Sequence, residues 1–277
     1  MTMLLGLVAA IGVLPFLIGM TRLKGEAARL DMRGLAVSTL LCALAFSLTF
    51  LIQELGLVIP KALVPGLDPI LYHNDHGWSG DAPIAELLQG GGAVATLFSG
   101  LLFLWLAGRI SPARPTWRLF AFWMAFQGLF QSLSQVAIGS LLPGNDAGRA
   151  LAHLGTTPAA KAGLLILAVA AMLVAGRALA RRYPFGGSGR TTALQLTATL
   201  LLAVLLVVPF RVPREPIEVV LIPLIVHLIG LGWLTVGLGF RRETAQAPAK
   251  PSIVGPLAAL AALLALFQLV LRPGIAF

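Results

Sequence analysis

An all-α, polytopic transmembrane helix bundle is the fold class this sequence predicts, and three observations predict it. Eight apolar stretches, at residues 2–20, 35–57, 84–107, 119–142, 158–179, 192–210, 217–240 and 252–271, fill most of the 277 residues. Each is close to the roughly 20 residues that a helix rising about 1.5 Å per residue needs to cross a hydrocarbon core of about 30 Å. The mean hydropathy is +0.91 and only 11% of residues are charged, so a water-soluble domain of this composition would expose large apolar patches. The remaining charges fall between the stretches. That distribution also argues against a nucleic-acid partner despite the net charge of +9, because such a partner needs Lys and Arg clustered on a soluble face.

Taken in order, the stretches carry distinct signals. The first lacks a basic leader and is followed by Arg22 and Lys24, the pattern of a retained span rather than a cleaved signal. The second holds Cys42, the single cysteine, so neither an intrachain disulfide nor a thiolate metal cluster is encoded. Residues 58–83 follow as an extracytoplasmic cap, broken by Pro60, Pro65, Gly66, Pro69, Gly77 and Gly80. Tyr72 and Trp78 within it suit a membrane interface.

Asp81 and Pro83 mark the start of the third span, and Thr157 with Pro158 marks the fifth in the same way. In the third, Gly92, Thr96 and Gly100 recur every four residues beside the row Gly91, Ala95, Ser99. Small residues at that spacing let helix backbones approach closely in lipid. The proline-containing segment 243–252, with Lys250, reads as a cytoplasmic linker. Residues 1–277 form one membrane domain without a strong internal repeat.

Lys and Arg count 14 in the odd-numbered loops and 6 in the even-numbered ones, while Glu54, Asp68, Asp75, Asp81, Glu86, Asp146, Glu215 and Glu218 cluster in or beside the even ones. The positive-inside bias then gives about eight spans with both termini outside. The expected location is a bacterial cytoplasmic membrane with the 58–83 cap on the outer side.

Polar side chains inside a membrane are costly and face protein or a wet cavity, which makes them candidates for function. Gln127, Gln131 and Gln135 fall at i, i+4 and i+8 with Ser134 beside them, so one face of the fourth span must meet another helix or a solute path. His227 sits mid-span, four residues after Pro223. It is a candidate structural histidine, a proton or substrate contact, or an axial ligand for a haem or chlorophyll. Outside, Glu54, Tyr72, His73, Asn74, Asp75, His76, Asp146 and His153 fall in one compartment. Imidazole and carboxylate are ordinary zinc ligands, and His73, His76 and Asp146 are the candidate metal ligands there.

The run Gln53-Glu54-Leu55-Gly56-Leu57 resembles the HELGH form of the zinc metalloprotease motif, with Gln53 and Leu57 where the two histidines stand. Gly90 to Ala95, and then Pro143-Gly144-Asn145-Asp146-Ala147-Gly148, are similar to the glycine-rich span and the later Asp-Gly segment of site-2-type intramembrane zinc proteases. The resemblance covers about residues 50–154. It implies Glu54 as general base and Asp146 as a third zinc ligand, but the motif works by two imidazoles one turn apart holding zinc, and leucine ligates nothing.

The expected function is therefore a non-catalytic integral membrane subunit or scaffold, a protease-like fold that lost its metal site and needs no cofactor. Its partners would be lipid and other integral membrane proteins, with Trp105, Trp117, Trp123 and Trp233 available for interface or partner packing. Three alternatives remain: a metal-dependent membrane hydrolase or protease using Glu54, His73, His76 and Asp146, with zinc as the candidate ion; a small-solute or lipid transporter using the glutamine stripe and His227; and a haem- or chlorophyll-binding subunit using His227.

Overall fold

The computed structural model describes residues 6–27, 29–241 and 251–277. Over their described residues all eight apolar stretches are largely helical. The long helices are α1 (Gly6–Arg22), α2 (Met32–Ala62), α4 (Gly91–Arg109), α5 (Pro115–Leu141), α7 (Pro158–Arg182), α8 (Gly189–Arg211), α9 (Ile217–Leu238) and α10 (Val254–Leu271). The short helices α3 (Ile84–Leu88) and α6 (Asp146–His153) lie before α4 and after α5. Among the described residues, six helical segments are long and apolar enough to cross a membrane: α2, Ile84–Arg109, α7, α8, α9 and α10. The fold is thus an all-α helical membrane bundle. The linker expected at 243–252 lies, as far as residue 250, outside the described residues.

The two stretches outside the six differ from them for separate reasons. The described part of the first, α1, has 17 residues. The fourth, α5, has 27 residues but carries the glutamine and serine face, and it is the most enclosed helix of the bundle. It touches α2, α4, α7 and α9, and Leu119, Phe122, Trp123, Phe126 and Phe130 on it have no exposed surface. A helix walled by other helices need not match the polarity of lipid.

Trp123 belongs to this interior, donating its indole N–H to Ser38 Oγ on α2 at 3.0 Å. It is therefore a core residue rather than one for interface packing, because the α5 register turns it toward α2. Trp105 and Trp117 do lie on the outside, 52% and 62% exposed.

Small residues set the closest approaches. A methyl group on Gly56 of α2 would sit 2.6 Å from Ala95 Cβ, and one on Gly100 of α4 would sit 2.6 Å from the backbone N of Leu129 on α5. The glycine stripe of α4 thus serves two neighbours, with Gly92 against Gln53 and Leu57 of α2 and Gly100 against α5. Lipid offers no hydrophobic gain for helix association, so this fit supplies much of the cohesion.

At one end of the bundle a small sheet makes the cap. Strands β1 (Asp68–Leu71) and β2 (His76–Ser79) form an antiparallel hairpin, and β3 (Ile275–Ala276) pairs antiparallel with the other edge of β1. The register sets His76 opposite the buried Leu71. α2 runs on to Ala62 with Pro60 inside its last turn, so the cap begins later than the prolines suggest. Asp81 does not cap α3; Pro83 occupies the N-cap position and Ala82 starts the turn by accepting from the Ala85 N–H. At α7, Thr157 caps as its sequence indicates, accepting from the Ala160 N–H at 3.3 Å.

Glycine substitutions should separate packing from helix propensity. Gly100→Leu is expected to destabilise the bundle by about 1–3 kcal/mol through overpacking, whereas Gly163→Leu on α7, where a side chain meets nothing within 4 Å, should leave it unchanged or slightly stabilised. Thermal unfolding of the two variants in detergent checks this, and equal losses would contradict the packing assignment.

Candidate functional site

The polar groups of the cap end converge on Glu54, near the end of α2. Its Oε2 lies 2.8 Å from His76 Nδ1, and the other ring nitrogen, Nε2, lies 3.1 Å from Gln89 Oε1. Since an amide oxygen only accepts, Nε2 carries a hydrogen, and a second proton is shared between Nδ1 and Glu54. Lys61, about two turns further along α2, has no exposed surface. Its Nζ donates to Leu57 O at 3.1 Å and to Gln89 Oε1 at 3.4 Å.

Trp78 roofs the cluster. It is stacked on His76 with centroids 5.9 Å apart, and it takes Lys61 and Arg149 against its ring at 4.7 and 5.2 Å. The tryptophan expected at the membrane interface is thus a lid for buried charge, held by cation–π contacts.

Three ion pairs extend the cluster outward. Arg149 of α6 grips Glu86 of α3 through Nε and Nη2 at 2.7 and 2.6 Å. Arg214 bridges Asp75 at the hairpin and Glu218 on α9. Arg211, 4% exposed at the end of α8, donates to Glu218 O at 3.0 Å and lies 4.4 Å from the Phe50 ring centroid. Five carboxylates (Glu54, Asp75, Glu86, Asp146, Glu218) therefore face four basic side chains (Lys61, Arg149, Arg211, Arg214) and the imidazole of His76. Asp146, in the first turn of α6, has its carboxyl pushed above the ordinary range by burial, an effect that nearby His76, Lys61 and Arg149 oppose.

The sequence-derived ligands divide. His76 reaches Glu54, and Asp146 is close enough to both to act on them electrostatically. His73 turns the other way: its Nε2 donates to Val212 O at 3.2 Å, while Asn74 Nδ2 donates to Arg211 O at 2.9 Å. The last carbonyls of a helix lack intrahelical partners, so the hairpin tip plugs the C-terminal end of α8. Burial holds the His73 pKa below its ordinary value. His153 is exposed and acts on Glu86. The carboxylate and imidazole groups that do come together are Glu54, Asp75 and His76, with ligand atoms all within 4.8 Å of one another.

Beneath Glu54 the glutamines take up the position where the resemblance places the first zinc histidine. Gln53 Oε1 accepts from the amides of both Gln131 and Gln135, the latter at 2.6 Å. Leu57, at the second histidine position, has no exposed surface and is pressed against Gly92. Deeper in the bundle, Gln127 Nε2 donates to His227 Nε2 at 2.7 Å and toward Cys42 Sγ at 3.4 Å. His227 is 2% exposed, with Phe46 and Phe126 centred 5.2 and 6.5 Å from its ring.

No family model, curated protein or solved structure matches this chain. The chemistry must therefore be read from the residues. A shared-proton carboxylate–imidazole pair is able to relay a proton or meet a cation, and the amide clasp below it joins α2 to α5. Sequence reasoning found Glu54, His76, Asp146 and the glutamines. It missed Lys61, Gln89, Trp78 and the Arg211–Arg214 end of α8, because one lysine near a span end carries no signal until the hairpin folds over it.

Removing one partner of a buried pair strands the other charge, so His76→Ala is expected to cost about 3–5 kcal/mol. The double variant His76→Ala/Glu54→Gln should cost clearly less than the two single changes together, measured by chemical unfolding in detergent. For Asp146, the raised folded-state pKa means its contribution to stability is full below the ordinary carboxylate pKa of about 3.9 and is lost as pH rises through the folded value. Asp146→Asn should therefore gain stability relative to the natural chain as pH goes from about 4 to 7, and a melting-temperature difference that is flat across that range would contradict the assignment.

Proposed function

We propose that the chain is a non-catalytic membrane subunit that organises other integral membrane proteins, built on a protease-like bundle whose zinc cradle has been converted into a structural clasp. The observation that carries this reading is the filling of both histidine positions. Gln53 is bonded twice to α5 and Leu57 is sealed against α4. Neither offers a ligand, and Glu54 is already engaged by His76.

Charge supports the same conclusion. The five clustered carboxylates are matched by Lys61, Arg149, Arg211, Arg214 and His76, so an added dication would leave the cluster net positive, against the usual pairing of buried charge. Wide apolar surface remains for partners, including Val94, Phe98, Leu101, Leu102 and Trp105 on α4 and Ile166, Leu167 and Val174 on α7. In this reading all eight helices span, both termini lie outside, and the cap faces away from the cytoplasm of a bacterial cell, as the loop charges favour.

A second reading draws on the Glu54, Asp75 and His76 group: a metal-dependent membrane hydrolase. It requires Asp75 to leave Arg214 and the metal to displace the proton held between His76 and Glu54.

Elemental analysis of the purified protein distinguishes the two. The scaffold reading expects no stoichiometric zinc and an unchanged melting temperature after chelator treatment, and one tightly held metal ion per chain whose removal destabilises the fold would overturn it. Topology has its own test in a Cys42→Ser background. A membrane-impermeant thiol reagent applied to intact cells should label Ser79→Cys in the cap and spare Ser111→Cys in the basic loop; the reverse pattern would invert the proposed orientation.

A further inference from the structure

The C-terminal helix α10 leaves a groove beside α2 and the start of α5. Its facing residues Gly255, Ala259 and Ala262 are too small to reach Leu44 and Leu48 across the gap, and the space between has a volume of about 1020 Å³. That is at the upper end of the roughly 300–1,000 Å³ typical of ligand pockets. The walls are almost wholly aliphatic or aromatic. Along α10 the groove runs from Ser252 to Leu266, roughly 20 Å at about 1.5 Å per residue, somewhat more than half the hydrocarbon core of about 30 Å.

The mouth of the groove is different in kind. Arg114 and Trp117 flank it, together with Thr116, whose hydroxyl accepts from the Ser252 N–H at 3.0 Å. Arg114 is exposed and makes no ion pair or side-chain hydrogen bond among the described residues. Trp117, 62% exposed, is an amphipathic ring of the kind found at headgroup level. An unpaired guanidinium at a membrane surface above an apolar slot about one leaflet deep matches a phosphate ester that trails a hydrocarbon chain.

We propose that this groove binds one anionic phospholipid from the leaflet bordering the basic loops, with its phosphate on Arg114 and an acyl chain along α10. The inference rests on the membrane reading of the fold but not on the scaffold function. A partner helix fits the site less well, because a helix flank brings apolar side chains to the slot and no anion to Arg114.

The test uses the full chain in nanodiscs of phosphatidylcholine doped with phosphatidylglycerol whose chains are brominated near the headgroup. Trp117 fluorescence should be quenched more strongly than with brominated phosphatidylcholine at equal dose, and the Trp117→Phe variant should lose that difference. Arg114→Ala should weaken the preference for phosphatidylglycerol about fivefold, the effect of about 1 kcal/mol per surface Arg. Ala262→Trp, which fills the slot without touching Arg114, should abolish retention of the lipid in native mass spectrometry. Equal quenching by both lipids, or unchanged lipid retention in Ala262→Trp, would overturn the proposal. So would crosslinking that places a second protein chain in the slot. The membrane reading fails separately, and only if the protein does not insert into the nanodisc.

Discussion

The amide face of α5 governs this architecture. Gln127, Gln131 and Gln135 would leave their amide N–H donors bare in hydrocarbon, whereas inside the bundle each donates to a protein group, so the helix that bears them is drawn to the middle and the more apolar helices arrange around it. α2 supplies the partner groups: Ser38 for Trp123, Cys42 near Gln127, and Gln53 for Gln131 and Gln135. The line of contacts runs about half the length of both helices and fixes their register, which apolar packing alone would specify weakly. Interhelical hydrogen bonds in lipid are individually modest, often below about 1 kcal/mol. Their value here is in selecting one alignment from several that are sterically acceptable.

That alignment determines what the cap end can be. With Gln53 directed into α5, the next residue, Glu54, is turned toward the hairpin, and the hairpin answers with His76. Lys61 falls beside Gln89, and Trp78 closes over them. The result is a polar cluster, buried at Glu54, Lys61 and Gln89 and partly exposed at Glu86 and Arg149, that links α2, the hairpin, α3 and α6, with α8 and α9 joined through Arg211 and Arg214. Such clusters cost desolvation energy and contribute specificity more than stability. They would suit the scaffold role proposed above, in which the protein holds one shape among partners.

The membrane class, the positions of all eight helices and the glutamine face were legible because they are written in local pattern: run length, small-residue spacing and the 3.6-residue repeat. Thr157 could be read as a cap for the same reason. The roles of His73, Trp78, Trp123 and Lys61 could not. His73 and His76 look equivalent in sequence, yet the hairpin register sends one to a helix carbonyl and the other to Glu54. Trp123 is an aromatic on an apolar helix, and only the packing order shows that lipid never reaches it. Lys61 is buried because the hairpin folds over it, a tertiary fact with no local trace. The pairing of β3 with β1 joins segments about 200 residues apart, and two residues of strand carry too little pattern to announce it.

That last pairing also imposes an order of events. The hairpin is synthesised early, but one of its edges stays open until Ile275 and Ala276 have been made, after every helix of the bundle. Its tip meanwhile waits for α8, whose final carbonyls it must cover. The cap over Glu54 is consequently complete only when segments from both ends of the chain have come together, so that its closure reports on assembly of the bundle beneath.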